Sequence, residues 1–296
     1  GSTVSTVGNY TLSAQTADNH LPDGQPIIFG DAIPGQSLLA ETRGISDADG
    51  IGSFMYQWLR DGVEIQSATS SSYNIQNADL NKLITVNVTY SDDAGFQESL
   101  TSEARLPTLN TNDAYSRLIE MYVTILGRAP ATDGLEFWSN KIDDGRSFED
   151  VATAMWNSPG AQETYPAVLS DEDKVATIYR NVLAREPNEQ GLEFWLERWQ
   201  DDDVGPVRTM LSMINALTSN NSSDEQAIQD KILFGAKVDI GGYLATTVGN
   251  ENIELAADTF DYLESGHSIA EAIPYIDAQL QTLGQLDIVS GDDLFV

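Results

Sequence analysis

The chain has 296 residues, with 46 acidic against 15 basic side chains, a formal net charge of −31, no cysteine and two histidines. That charge excludes nucleic acid and anionic membrane surfaces as partners, because both are bound through basic patches. The lack of cysteine excludes a disulfide framework, a thiolate nucleophile and a cysteine-ligated zinc site.

What stays open is a soluble protein, or one that handles hard cations such as Ca2+ through oxygen ligands. An apolar fraction of 41% is enough for packed cores, so the acidity does not signal disorder. No uncharged apolar run reaches the roughly 18 residues of a membrane helix, so membrane insertion is not expected. Gly1-Ser2 reads as a cloning scar, and the chain as a piece of a larger protein.

Alternating apolar residues and frequent turns give way to period-3.6 patterns near residues 105–112. This divides the chain into residues 1–107, residues 108–286 and an acidic tail, 287–296. Both sides of the boundary are acidic: 13 acidic and 4 basic residues up to 107, then 33 and 11 over residues 108–296. The first part reads as β. Strands are expected at 37–42, 54–59, 63–65, 83–90 and 96–102, with tight turns at Arg60-Asp61-Gly62 and Ser91 to Gly95. Short strands at this density, with Trp58 in a central one, predict an Ig-like β-sandwich. The run Tyr56-Gln-Trp-Leu-Arg-Asp-Gly62, then Ile65, Ala68-Thr69 and Tyr73, then Ile84 to Tyr90, resembles the bacterial Ig-like repeats of large secreted adhesins and calcium-binding repeat proteins. The likeness covers about residues 26–104 and implies a spacer or stalk element.

The second part reads as an all-α helical repeat domain. Helices are expected near 113–127, 134–144, 148–157, 171–184, 190–201, 204–219, 223–247, 250–265 and 269–283. Capping boxes open four segments at Ser147–Asp150, Ser170–Asp173, Ser223–Gln226 and Ser268–Glu271. Tyr122 to Trp138 returns as Tyr179 to Trp195 at an offset of 57, keeping Tyr, Leu, Arg, Pro, Gly, Leu, Glu, Phe and Trp. Each copy is helix, Arg-x-Pro loop and second helix, with Leu135, Trp138, Leu192 and Trp195 locking the pairs. This pattern resembles the domain-of-unknown-function family 4214, over about residues 113–283. The resemblance implies a helical module of secreted bacterial proteins, often with calcium-binding repeats and type I export, and no catalytic residue. A weaker likeness is to the helical anchoring regions of S-layer proteins, which hold surface polysaccharide.

Among candidate sites, Asp47-Ala48-Asp49-Gly50 places two carboxylates two apart in a turn, able to reach one Ca2+. Asp92 and Asp93, in the last hairpin, lie at the same pole of an Ig-like sandwich, so Asp47, Asp49, Asp92 and Asp93 are the expected metal ligands. The competing reading is that Asp simply favours turns. Arg128 and Arg185 are read as structural, pairing with Glu136 and Glu193 or capping carbonyls, against an anion-binding alternative. Trp156 and Trp199, with Asp201 and Asp203, are the candidate glycan-binding residues. Asp287 to Val296 resembles half of a calcium-binding turn. His267 is expected to serve a helix end. No Gly-x-Ser-x-Gly, His-Glu-x-x-His, P-loop or dinucleotide fingerprint occurs.

These features predict a non-enzymatic piece of an extracellular bacterial adhesin whose partners are a glycan or surface polysaccharide and neighbouring domains of its own chain. An S-layer-like lattice protein and an accessory module of an exported hydrolase are the alternatives.

Overall fold

The computed structural model describes residues 18–108, 114–219, 224–249 and 252–282. Among the described residues seven strands come first: β1 Ile27–Phe29, β2 Ser37–Glu41, β3 Met55–Arg60, β4 Val63–Glu64, β5 Ser72–Asn74, β6 Ile84–Ser91 and β7 Gln97–Thr101. They form two antiparallel sheets in the orders β1-β2-β5 and β4-β3-β6-β7. Strict alternation along β6 explains the sandwich: Ile84, Val86, Val88 and Tyr90 point inward while Thr85, Asn87 and Thr89 are half-buried. Trp58, paired with Val86 across the ladder, is buried, stacks on Tyr73 with ring centroids 5.6 Å apart, and donates its indole N–H to the Ser70 carbonyl. Asp61 and Gly62 both take positive φ in the β3–β4 turn, the backbone that matches strand twist. The expected strands are present; β1 and β5 are too short, at three residues each, to show an alternating pattern.

Among the described residues ten α-helices follow: α1 Tyr115–Leu126, α2 Thr132–Asp143, α3 Phe148–Trp156, α4 Pro159–Thr164, α5 Asp171–Leu183, α6 Glu189–Gln200, α7 Gly205–Ser219, α8 Glu225–Tyr243, α9 Ile253–Glu264 and α10 Ile269–Thr282. Serine caps set several starts as expected. Ser147 and Asp150 form a reciprocal box, Ser170 accepts the Asp173 N–H, and the Glu271 carboxylate accepts the Ser268 N–H. Helix α8 differs, because Asp224 caps it by accepting the Ala227 N–H; Ser223 lies outside the described residues. Helix α4 was not expected, since six residues carry too little periodicity, although Ser158 caps it and Pro159 opens it.

The repeat is visible as two helix pairs, α1–α2 and α5–α6. In each, the tyrosine hydroxyl approaches the start of the second helix. A Cβ on Gly134 would stand 2.5 Å from the Tyr122 oxygen, which explains the glycine there. The first helix of each pair ends in a left-handed residue, Gly127 at φ 64° and Ala184 at φ 52°. No helix among the described residues is long and apolar enough to cross a membrane.

The sandwich core and the helical core are separate clusters, and the connector belongs to the second. Leu106 is buried in the helical core and Leu83 packs against it.

Candidate functional site

Three places carry the chemistry of the chain. The first is the acidic pole of the sandwich, where the loop after β2 meets the β6–β7 hairpin. The Asp93 N–H donates to the Asp49 carbonyl at 3.0 Å and ties the two loops together. Asp47 and Asp92 converge there, joined by Glu98, and one carboxylate oxygen of each lies within 4.8 Å of the others. Asp92 and Glu98 are each only 6% exposed. The Tyr90 hydroxyl donates to Asp47 Oδ2 at 2.6 Å, and the Asp49 N–H to Asp47 Oδ1 at 2.9 Å. Burial, followed by its bond to Asp47, raises the Tyr90 phenol well above its ordinary pKa.

Asp49 and Asp93 stand beside this cluster rather than in it. Asp49 accepts the His20 N–H at 2.6 Å and meets His20 Nδ1 at 2.9 Å, and it holds the imidazole pKa up. The Asp93 carboxylate packs over Gly50. Glu98 was not foreseen, although a signal existed: it pairs with Tyr90 across β6–β7, so strand alternation turns it inward.

The second place is the junction between sandwich and helices, centred on Arg105. Its guanidinium holds the Asp239 carboxylate of α8 in a two-pronged pair, Nε to Oδ2 at 2.6 Å and Nη2 to Oδ1 at 2.9 Å. Nη1 donates to the Gly30 carbonyl at 2.9 Å and, more distantly, to that of Ile28, both at β1. The Leu106 N–H adds a bond to Asp239. Thr247 and Asn81 pair at 2.9 Å, and the Lys231 ammonium sits 3.5 Å from the Phe29 ring centroid. A cleft of about 420 Å³ beside Arg105 is lined from both parts, by Phe29 and Asp31 and by Arg117 and Glu120. Burial pushes the Glu120 carboxyl up to about 7, although Arg117 opposes this.

The third place is the aromatic group of the helical part, where the structure corrects the glycan-binding expectation. Trp199 is a core residue at 5% exposure. Its ring meets Trp156 edge-on at 5.4 Å, and Trp156 leans on buried Tyr165 at 4.9 Å. The α6 helix thus turns its last tryptophan inward, away from the acidic run that follows. Asp201 accepts the N–H groups of Asp203 and Val204, ordering the turn into α7, and the Asp203 carbonyl accepts from Arg208.

The repeat arginines take structural partners, although among the described residues neither is paired with its repeat glutamate. Arg185 pairs with Asp230 of α8, Nε to Oδ1 at 2.9 Å, and lies over the Tyr179 ring; Glu193 is exposed. Arg128 lies over Tyr122 and donates to the Ala129 carbonyl, and Glu136 is exposed. His267 stacks on Tyr262 just beyond α9 and meets its carbonyl, as expected of a helix-end residue. The tail from Asp287 lies outside the described residues.

Fold and junction define the class: a two-sheet β domain joined to an all-α domain containing a tandem helix-loop-helix repeat. Within it, residues 152–204 match a family described as "Domain of unknown function (DUF4214)". That match runs from α3 through the second repeat copy. No curated protein and no solved structure is significantly similar to the chain.

Proposed function

We propose that this chain is a non-enzymatic segment of a secreted bacterial surface protein of the adhesin kind. Its sandwich, read as Ig-like, is the spacer, and its helical domain is the binding or assembly unit. One observation carries the reading: the single side chain of Arg105 is bonded at once to the end of β1, at the Gly30 carbonyl, and to Asp239 of α8. A spacer transmits position or load only if its joint to the next unit is stiff. Buried, two-pronged arginine–carboxylate pairs with saturated donors are the polar contacts best suited to that. The uniform acidity is in keeping with a surface exposed to solvent, where self-repulsion keeps copies apart. The partners in this reading are a glycan or surface polysaccharide and the neighbouring modules of the same chain.

X-ray scattering in solution tests the spacer. One rigid particle fitting the data from low to high salt is expected, and data that require an ensemble of two loosely linked bodies contradict it. A glycan array probed with and without Ca2+ tests the binding unit, and silence in both conditions counts against it.

A further inference from the structure

The geometry points to a calcium site at the pole of the sandwich, built by Asp47, Asp92 and Glu98. Clustered acids alone are common on an acidic protein, and the weight lies on Asp92. Its side chain is buried, its Oδ1 accepts the Phe96 N–H at 2.8 Å, and its Oδ2 is buried with no hydrogen-bond partner. Buried carboxylate oxygens are rarely left unsatisfied, because the lost hydration is not recovered. This one belongs to a group whose ligand oxygens all lie within 4.8 Å of one another. Three carboxylates so close repel, and no lysine or arginine is paired with any of them among the described residues. A divalent cation removes both defects at once.

The ligand chemistry selects the ion. All three side chains offer hard oxygen, which suits Ca2+ or Mg2+ and not the softer transition metals. Oxygens on opposite sides of Ca2+ stand roughly 4.6–5.2 Å apart, against about 4.0–4.2 Å for Mg2+. A spread of up to 4.8 Å therefore leaves room for the larger ion, with water completing its irregular shell. The site reaches the segment leading into the sandwich, because Asn19 Nδ2 donates to Glu98 Oε1 at 2.9 Å and His20 is held by Asp49. Filling it would fasten residues 19–20 to the β6–β7 hairpin.

Terbium luminescence and thermal melting of the full chain test this. Tyr90, bonded to Asp47, is positioned to sensitise Tb3+. We expect tyrosine-excited terbium emission that Ca2+ displaces, and a rise in the melting midpoint of about 5 °C in saturating Ca2+. Asp92→Asn is expected to lose both effects while melting at least as high as the parent chain in EDTA, because it removes like-charge repulsion. Glu98→Gln is expected to weaken Ca2+ binding at least tenfold, and Asp202→Asn, in the exposed acidic run, to change nothing. An unchanged midpoint with no terbium emission in the parent chain overturns the site. A full Ca2+ response in Asp92→Asn overturns the ligand assignment. Equal response to Mg2+ at the same concentration overturns the choice of calcium.

Discussion

Replacing Arg105 with alanine is the sharpest perturbation of the junction. Arg105 and Asp239 have side chains only 14% and 4% exposed, so their pair is shielded from water and salt. The substitution strands the Asp239 carboxylate with the Leu106 N–H as its remaining bond from the connector, and it frees the Gly30 carbonyl. Removing one partner of a buried pair costs about 3–5 kcal/mol, most of it the penalty of the abandoned charge. Urea unfolding followed by circular dichroism and by tryptophan fluorescence reads the effect. Trp58 reports the sandwich, and Trp138, Trp156, Trp195 and Trp199 report the helices. Coincident transitions are expected in the parent chain and separated ones in Arg105→Ala. The double variant Arg105→Met, Asp239→Leu is expected to recover much of the loss, since an apolar pair leaves no orphaned charge. A loss below about 1 kcal/mol, with the transitions still coincident, would place the pair among weak surface bridges and refute the reasoning.

Other outcomes follow from single residues. Ala184→Gly relieves a left-handed alanine where the first repeat copy has Gly127, and it is expected to stabilise the chain by about 0.5–1 kcal/mol in urea titration. Asp79 is buried and accepts from Arg60, Tyr73 and the Gln76 N–H, so Asp79→Ala is expected to cost about 3–5 kcal/mol in the same assay. Trp199→Ala is expected to cost about 3–5 kcal/mol as a core truncation; an unchanged stability with lost glycan binding would restore the surface role. The Glu120 carboxyl is raised from 4.5 to about 7 by burial, so its contribution is full below pH 4.5 and is lost as pH rises through 7. Glu120→Gln is therefore expected to flatten the stability profile between pH 4.5 and 7 and to raise stability at pH 8. A parallel profile in the variant would contradict this.

Most of the architecture was legible because its signals are local. Capping serines and the alternation of β6 depend on residues within a turn or a strand of one another, and the repeat shows as one continuous segment, Tyr122 to Trp138, returning as Tyr179 to Trp195. Helix α4 and strands β1 and β5 escaped because they are too short to repeat the period that would reveal them. The sites were harder, because their partners come from distant segments. Arg185 meets Asp230 across 45 residues and Arg105 meets Asp239 across 134, so no spacing rule singles out those carboxylates. Trp199 was misplaced because three aspartates follow it, while the register of α6 aims its ring at Trp156. At the acidic pole, loop composition pointed to the region, and cross-strand pairing was needed to find Glu98.

The central claim is that sandwich and helical domain form one stiff unit. Since the chain has no cysteine, spin labels can be placed at will. Thr69→Cys on the sandwich and Glu197→Cys on α6 are both exposed positions. Pulsed dipolar spectroscopy between them is predicted to give one narrow distance distribution that broadens in Arg105→Ala. A broad or two-peaked distribution in the otherwise unaltered chain would contradict the account.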